Sequence, residues 1–64
     1  MLTPVEFLTR GQQVARPAYP GSPCSKVLNV VSSPDRVMVR YAMPPGHEGE
    51  ETLAYLPHFM VEVP

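Results

Sequence analysis

The side chains that could do chemistry in this 64-residue chain are one cysteine, two histidines and six acidic residues. Cys24 would become a nucleophile only with a base beside it, and His47 and His58 are the bases available. No pattern typical of a catalytic cysteine surrounds any of the three. We therefore expect Cys24 to be a loop thiol of ordinary reactivity, and we expect no catalytic residues.

A second group of possible ligands lies near the middle of the chain. His47, Glu48, Glu50 and Glu51 offer the imidazole and carboxylate groups that divalent metals accept. Gly46 and Gly49 lie on either side of His47 and Glu48, so this loop is poorly ordered for a metal and is better explained as a solvated hairpin tip. Glu50 and Glu51 are adjacent and would face opposite sides of a strand, which excludes an acid–base pair. We expect no metal and no bound cofactor.

Aromatic residues suggest a ligand surface instead. Tyr19 lies in Arg16-Pro17-Ala18-Tyr19-Pro20, whose polyproline-type spacing could make the segment itself a ligand with Tyr19 exposed, although we favour a rigid loop packed over the barrel end. Tyr41 and Tyr55 are on neighbouring candidate strands and could form a cross-strand aromatic pair. His58 would flank a turn close to Tyr55. The candidate ligand surface is Tyr19, Tyr55 and His58.

Length and composition restrict the class of protein. Nine prolines and four glycines make 13 of 64 residues, which is fewer than in typical disordered chains. A chain of this length is expected to form a single domain, residues 1–64. Its core would supply only about 3–5 kcal/mol, and the single cysteine allows no internal disulfide. Self-association is the remaining source of stability, so a homo-oligomer is expected.

Charge is distributed unevenly along the chain although the net charge is only -1. All five basic residues precede residue 41, and four of the six acids follow it. We expect neighbouring strands to balance these charges, with head-to-tail pairing of subunits as the alternative. A nucleic-acid binder would show a basic excess, so association with nucleic acid is the weakest of our hypotheses.

The expected location is the cytoplasm. The first residues lack the basic start and apolar run of a signal peptide. No apolar stretch reaches the 18 residues that a membrane span needs, so no contact with a membrane is expected. A free cysteine is typical of a reducing compartment.

The first ten residues predict a short helix. Thr3-Pro4-Val5-Glu6 has the pattern of a capping box with proline at the first helical position. The predicted helix covers residues 3–9 and ends at Gly11. Because two turns are marginal in isolation, it would have to bury Val5 and Leu8.

Residues 11–63 predict five short strands, at residues 12–16, 26–32, 36–42, 51–55 and 60–63. A loop over residues 17–25 and a turn at residues 33–35 separate the first three. Residues 56–59 predict one helical turn, since Pro57 would interrupt a sheet. Closely spaced antiparallel strands favour a barrel, because closure removes exposed edges. The fold class is thus mainly β, a five-stranded antiparallel barrel with a short N-terminal helix.

Two segments make the chain resemble a Src-homology-3-like small barrel. Gly11-Gln12-Gln13-Val14 resembles the opening of the first barrel strand in many bacterial members, and residues 55–63 resemble the closing strand, turn and strand. Small barrels of this kind are common in mobile-element and phage cassettes. The resemblance does not imply polyproline binding, because the chain has no Trp and lacks the alanine-leucine-tyrosine opening of the signalling members.

The chain is also similar to the plasmid-borne type II dihydrofolate reductases, at Gly11, at Val14 and in the segment Leu53-Ala54-Tyr55-Leu56-Pro57. Those enzymes are tetramers with a central pore. Their glutamine and tyrosine, which contact cofactor and substrate, are replaced here by Ala54 and Leu56. Reductase activity is therefore not expected, while an oligomeric enzyme that binds a small molecule or nucleotide remains the alternative hypothesis.

The strand periodicity divides the apolar residues between two faces. The expected core contains Val27, Val31, Val37, Val39, Tyr41, Val61 and Val63. The opposite strand face carries the other apolar residues, and Phe7 on the predicted helix is also left uncovered. Together they give a candidate interface of Phe7, Leu28, Met38, Ala42 and Met60. A thin barrel has one interior, so this second face is expected to meet a partner. The sequence thus favours a non-enzymatic binding or assembly module whose partner is another protein or a second copy.

Overall fold

The computed structural model describes residues 1–15, 24–43 and 48–64. It is mainly β, with six strands and one short 3-10 helix, at Val5–Phe7, in the described ranges. The strands are β1 (Leu2–Pro4), β2 (Gln13–Ala15), β3 (Cys24–Ser32), β4 (Val37–Ala42), β5 (Glu50–Tyr55) and β6 (Met60–Glu62). The mainly β character predicted from the sequence is confirmed.

The strands form two antiparallel sheets. One is a four-stranded meander in the order β2-β3-β4-β5, and the other is a ribbon of β1 and β6. Pairings among the described strands do not close these sheets into a barrel. The ribbon brings the two ends of the chain together, since the Met1 ammonium lies 2.6 Å from the Val63 carbonyl oxygen.

Strand β4 shows most clearly how the sequence makes the core. Val37, Val39 and Tyr41 are fully buried, while Met38, Arg40 and Ala42 alternate with them on the other face. Valine and tyrosine favour strands because branched and aromatic side chains pack well on a pleated surface. The buried apolar residues from both sheets and the N-terminal segment are Val5, Leu8, Val14, Val27, Val37, Val39, Tyr41 and Val61.

A β-bulge in β3 changes which of its residues face the core. Val27 pairs with Tyr41, but the next pairing joins Asn29 to Arg40, so Leu28 is an extra residue. The alternation shifts by one after a bulge. Val30 therefore packs against the core, and the prediction of Val31 as a core residue is wrong because its side chain is 54% exposed. Leu28 itself is half-buried.

The N-terminal segment differs from the predicted helix over residues 3–9. Thr3 lies in β1 opposite Val61, and only Val5–Phe7 form a 3-10 helix, with no side-chain cap. Because the backbone around Thr3 already pairs with β6, no capping box is needed to satisfy its hydrogen-bonding groups. Val5 and Leu8 are both buried, as the helix was expected to require.

The described part of the chain contains no helix with the length and apolar character needed to cross a membrane.

Candidate functional site

The turn between β5 and β6 gives the candidate site its shape. The Phe59 N–H donates to the Leu56 carbonyl at 3.1 Å, and His58 has a φ of 68°. Proline in the second position and a positive φ in the third are features of a type II turn. The helical turn predicted for residues 56–59 is therefore replaced by a β-turn, which returns the chain directly into β6.

Glu6 holds this turn against the 3-10 helix. Its Oε2 lies 2.7 Å from His58 Nδ1, and its Oε1 accepts the His58 backbone N–H at 3.1 Å. The Val5 N–H also donates to the Phe59 carbonyl at 2.8 Å. Two carboxylate contacts and one backbone bond thus fix the turn, and a positive φ at a non-glycine residue persists only under such constraint.

Aromatic residues connect the core to the surface at the same place. The hydroxyls of Tyr41 and Tyr55 are 2.8 Å apart, and the rings of Tyr55 and Phe59 have centroids 5.4 Å apart. Tyr41 is fully buried, Tyr55 is half-buried and Phe59 is 52% exposed. Tyr41 is directly opposite Glu51 rather than Tyr55, so the two tyrosines meet through their hydroxyls and not as a direct cross-strand pair.

Exposed apolar residues lie at this turn, on the β1–β6 ribbon and on the 3-10 helix. The group that we call the Phe59 patch contains Leu2, Phe7, Leu56, Phe59 and Met60, each at least 44% exposed. Of the large apolar side chains exposed in the described ranges, only Met1 and Val31 lie outside the patch, and Met1 adjoins it.

Backbone pairing places two members of the Phe59 patch, Leu2 and Met60, on one face of the β1–β6 ribbon. Met60 is directly opposite Pro4, and Leu2 is on the same face of β1 as Pro4 because it is two residues away. In the 3-10 helix Val5 points into the core and Glu6 reaches His58, which leaves the third side for Phe7. The patch is therefore supported by regular structure and by the Glu6 contacts.

A smaller apolar row crosses the outer face of the meander. Met38 is directly opposite Val31 on one side and Ala54 on the other. Directly opposite residues share a face, so these three side chains lie side by side. Arg40 lies two residues from Met38 on the same face and forms an ion pair with Glu50 at 3.7 Å, so a charged row borders the apolar one.

The structure places the residues of the predicted interface on different elements. Met38 and Ala42 are half-buried on the outer face of β4, and Leu28 is at the bulge. Met60 and Phe7 belong to the Phe59 patch and are exposed. The predicted interface is therefore distributed over the meander, the β1–β6 ribbon and the 3-10 helix.

The predicted ligand surface is brought together only in part. Tyr55 and His58 both adjoin Phe59, whereas Tyr19 falls outside the described residues. Cys24, expected in a loop, is the first residue of β3, where it is half-buried and opposite Ala15.

Sequence reasoning missed Phe59, Leu56 and the role of Glu6. The available signal for Leu56 and Phe59 was Pro57, which lies between them. A turn at Pro57 leaves the apolar side chains on both sides of it outside a sheet. The contact between Glu6 and His58 joins residues 52 positions apart, and no local pattern indicates it.

No three His, Cys, Asp or Glu side chains lie close enough to hold a metal ion in residues 1–15, 24–43 and 48–64. His47, considered above as a metal ligand, is outside those ranges.

Comparison with known proteins found no matching family model, no similar curated protein and no similar solved structure.

Proposed function

We propose that this chain is a non-enzymatic β module that acts through protein–protein contact, including contact between copies of itself. The Phe59 patch carries the proposal. It combines five exposed apolar side chains with a frame fixed by Glu6 and by the pairing of β1 with β6. Exposed apolar clusters on a small soluble protein mark interaction surfaces, because leaving them in water is unfavourable.

We propose further that the architecture is that of a Src-homology-3-like small barrel. The order of elements supports this proposal: a meander of four strands is followed by a tight turn and a last strand that pairs with the first. The turn falls at Leu56-Pro57-His58-Phe59, in one of the two segments that carry the resemblance.

Sedimentation velocity over a wide range of concentration tests the proposed function. We expect the wild-type chain to form a larger species as concentration rises, and we expect Met60→Glu to remain a monomer. Met60 is 44% exposed, so the charge should weaken association and leave the fold intact. Ser32→Glu adds the same charge at an exposed position outside the patch and should associate like the wild type.

Self-association through the patch would be disproved by a wild-type chain that stays monomeric at all concentrations. Equal weakening by Met60→Glu and Ser32→Glu would also disprove it, because net charge alone would then explain the effect.

A further inference from the structure

Strand β5 is an edge of the meander. Among the strands that the structure describes, it pairs with β4 alone. An edge strand presents a row of backbone N–H and C=O groups that can pair with another extended chain. Binding of a partner strand at such an edge gives affinity through the backbone and specificity through alternate side chains.

The hairpin geometry identifies the backbone groups that point outward. The Met43 N–H donates to the Gly49 carbonyl at 3.1 Å, which makes this a hydrogen-bonded pair. Hydrogen-bonded and non-hydrogen-bonded pairs alternate along an antiparallel ladder. Glu50, Thr52 and Ala54 therefore direct their N–H and C=O groups away from β4, toward the position of an additional strand.

The side chains along this edge change from acidic to apolar. Glu48, Glu50 and Glu51 are at its start, and Tyr55 is at its end, in contact with Phe59. Glu50 also pairs with Arg40 at 3.7 Å, but both side chains are about half exposed, and such surface pairs are weak. An incoming strand would thus meet negative charge at one end and an apolar surface at the other.

We propose that the edge of β5 binds an extended segment of another protein as an additional antiparallel strand. Read from its N-terminus, the segment has the pattern apolar-x-apolar-x-basic-basic. Its apolar residues are opposite Tyr55 and Leu53, and its basic residues are opposite Glu51 and Glu50. This proposal rests on the proposed function and specifies the chemistry of one partner.

Charge favours such a segment over a second copy of the same edge. Two copies of β5 can pair antiparallel with Thr52 opposite Thr52, Ala54 or Glu50 of the other copy. These registers place Glu51 opposite Leu53, Tyr55 or a second Glu51, respectively. Strand β5 contains no basic residue, so no self-pairing of β5 sets a positive charge opposite its acids, and one register sets two Glu51 side chains against each other. A basic strand supplies the opposite charge.

Fluorescence anisotropy with a labelled peptide, Tyr-Thr-Val-Thr-Arg-Lys with blocked ends, tests the proposal. We expect saturable binding to the full chain that weakens as salt is added, because part of the affinity is electrostatic. A matched peptide ending in Glu-Glu should bind at least tenfold more weakly. The measurements use the wild-type chain and are repeated with Met60→Glu, so that the effect of association through the Phe59 patch is separated from binding of the peptide.

A substitution at Thr52 separates edge binding from general attraction. Thr52→Pro removes an outward N–H and leaves the bonds between β4 and β5 in place, so it should bind the peptide at least tenfold more weakly. Thr52→Val retains the N–H and should bind like its parent. Circular dichroism verifies that both variants are folded.

N-methylated peptides provide the same test without changing the protein. The fourth residue of the bound peptide is opposite Thr52 and donates its N–H to the edge, so N-methylation there should abolish binding. The third residue directs its N–H away from β5, so N-methylation there should have little effect. This pair keeps the proposal testable if Thr52→Pro does not fold.

Several results would overturn the inference. They are absence of binding at millimolar peptide, equal binding of the Glu-Glu peptide, and equal effects of the two N-methylated peptides. If the wild-type chain binds no peptide and Thr52→Pro abolishes self-association, the edge binds a second copy instead. None of these results depends on the sedimentation of Met60→Glu, so the proposed function and this inference can fail separately.

Discussion

Two single residues are in unfavourable environments in this structure, one because of its backbone conformation and one because of its burial. His58 takes a positive φ, and the Glu6 carboxylate bonds both its backbone N–H and its ring. Ser25 is 1% exposed, and its hydroxyl has no hydrogen-bond partner in the described part of the chain. Both residues lower the stability that the core provides, and both can be tested by single substitutions.

Ser25→Ala should raise the free energy of unfolding by about 1 kcal/mol, since it removes a buried hydroxyl that gains nothing in the folded state. Urea denaturation followed by circular dichroism measures the change. Ser32→Ala, at an exposed position of the same strand, should alter stability by less than about 0.5 kcal/mol. A loss of stability in Ser25→Ala would mean that the hydroxyl makes a useful bond.

His58→Gly should be more stable than His58→Ala by about 1 kcal/mol, because only the Cβ of alanine opposes the positive φ. Both variants lose the ring contact with Glu6, so their difference isolates the backbone. Thermal unfolding of the two variants side by side gives the comparison. Equal stability would show that the turn can adopt another conformation at low cost.

At the scale of elements, the bulge in β3 decides what the strand presents on each face. Before it, Ser25 and Val27 face the core, and after it Val30 does. Strict alternation from Val27 pointed to Val31, since a sequence of valines carries no mark of the extra residue Leu28. Strand β4 has no such irregularity, and there the alternation gave the correct faces.

Val30→Thr should destabilise the chain by about 1 kcal/mol, whereas Val31→Thr should have an effect near zero. The first places a hydroxyl against the core, and the second places it in water. Urea denaturation of the two variants measures both effects. The reverse order would show that the alternation continues through Leu28 without a bulge.

How much of the candidate site could be predicted depends on whether its sequence signal is local. Met60 and Tyr55 were found because strand alternation and aromatic type are local properties. Phe59 was missed because Pro57 was interpreted as part of a helical turn, and its exposure depends on the β-turn. The support from Glu6 could not be found, since it depends on how β1 and β6 bring distant residues together.

At the scale of the whole molecule, the proposed association would add to the stability that a small core provides. The buried apolar residues are eight, mostly valines, in the described ranges. A core in a chain of this length supplies only about 3–5 kcal/mol, so burial of the Phe59 patch in an assembly would add a substantial fraction.

The melting temperature of the wild-type chain should therefore rise with protein concentration, because association stabilises only the folded state. The melting temperature of Met60→Glu should not change over the same range. Differential scanning calorimetry at a series of concentrations measures both. A concentration-independent wild-type melting temperature would contradict this expectation.

The pairing of β1 with β6 has a consequence for how the unit can be combined with others. Met1 and Val63 are held side by side, with the Val63 N–H donating to the Met1 carbonyl at 2.8 Å. A domain can be inserted into another protein when its two termini are neighbours. Two short joints to a surface loop of a host protein would accordingly leave the pairing of β1 with β6 in place.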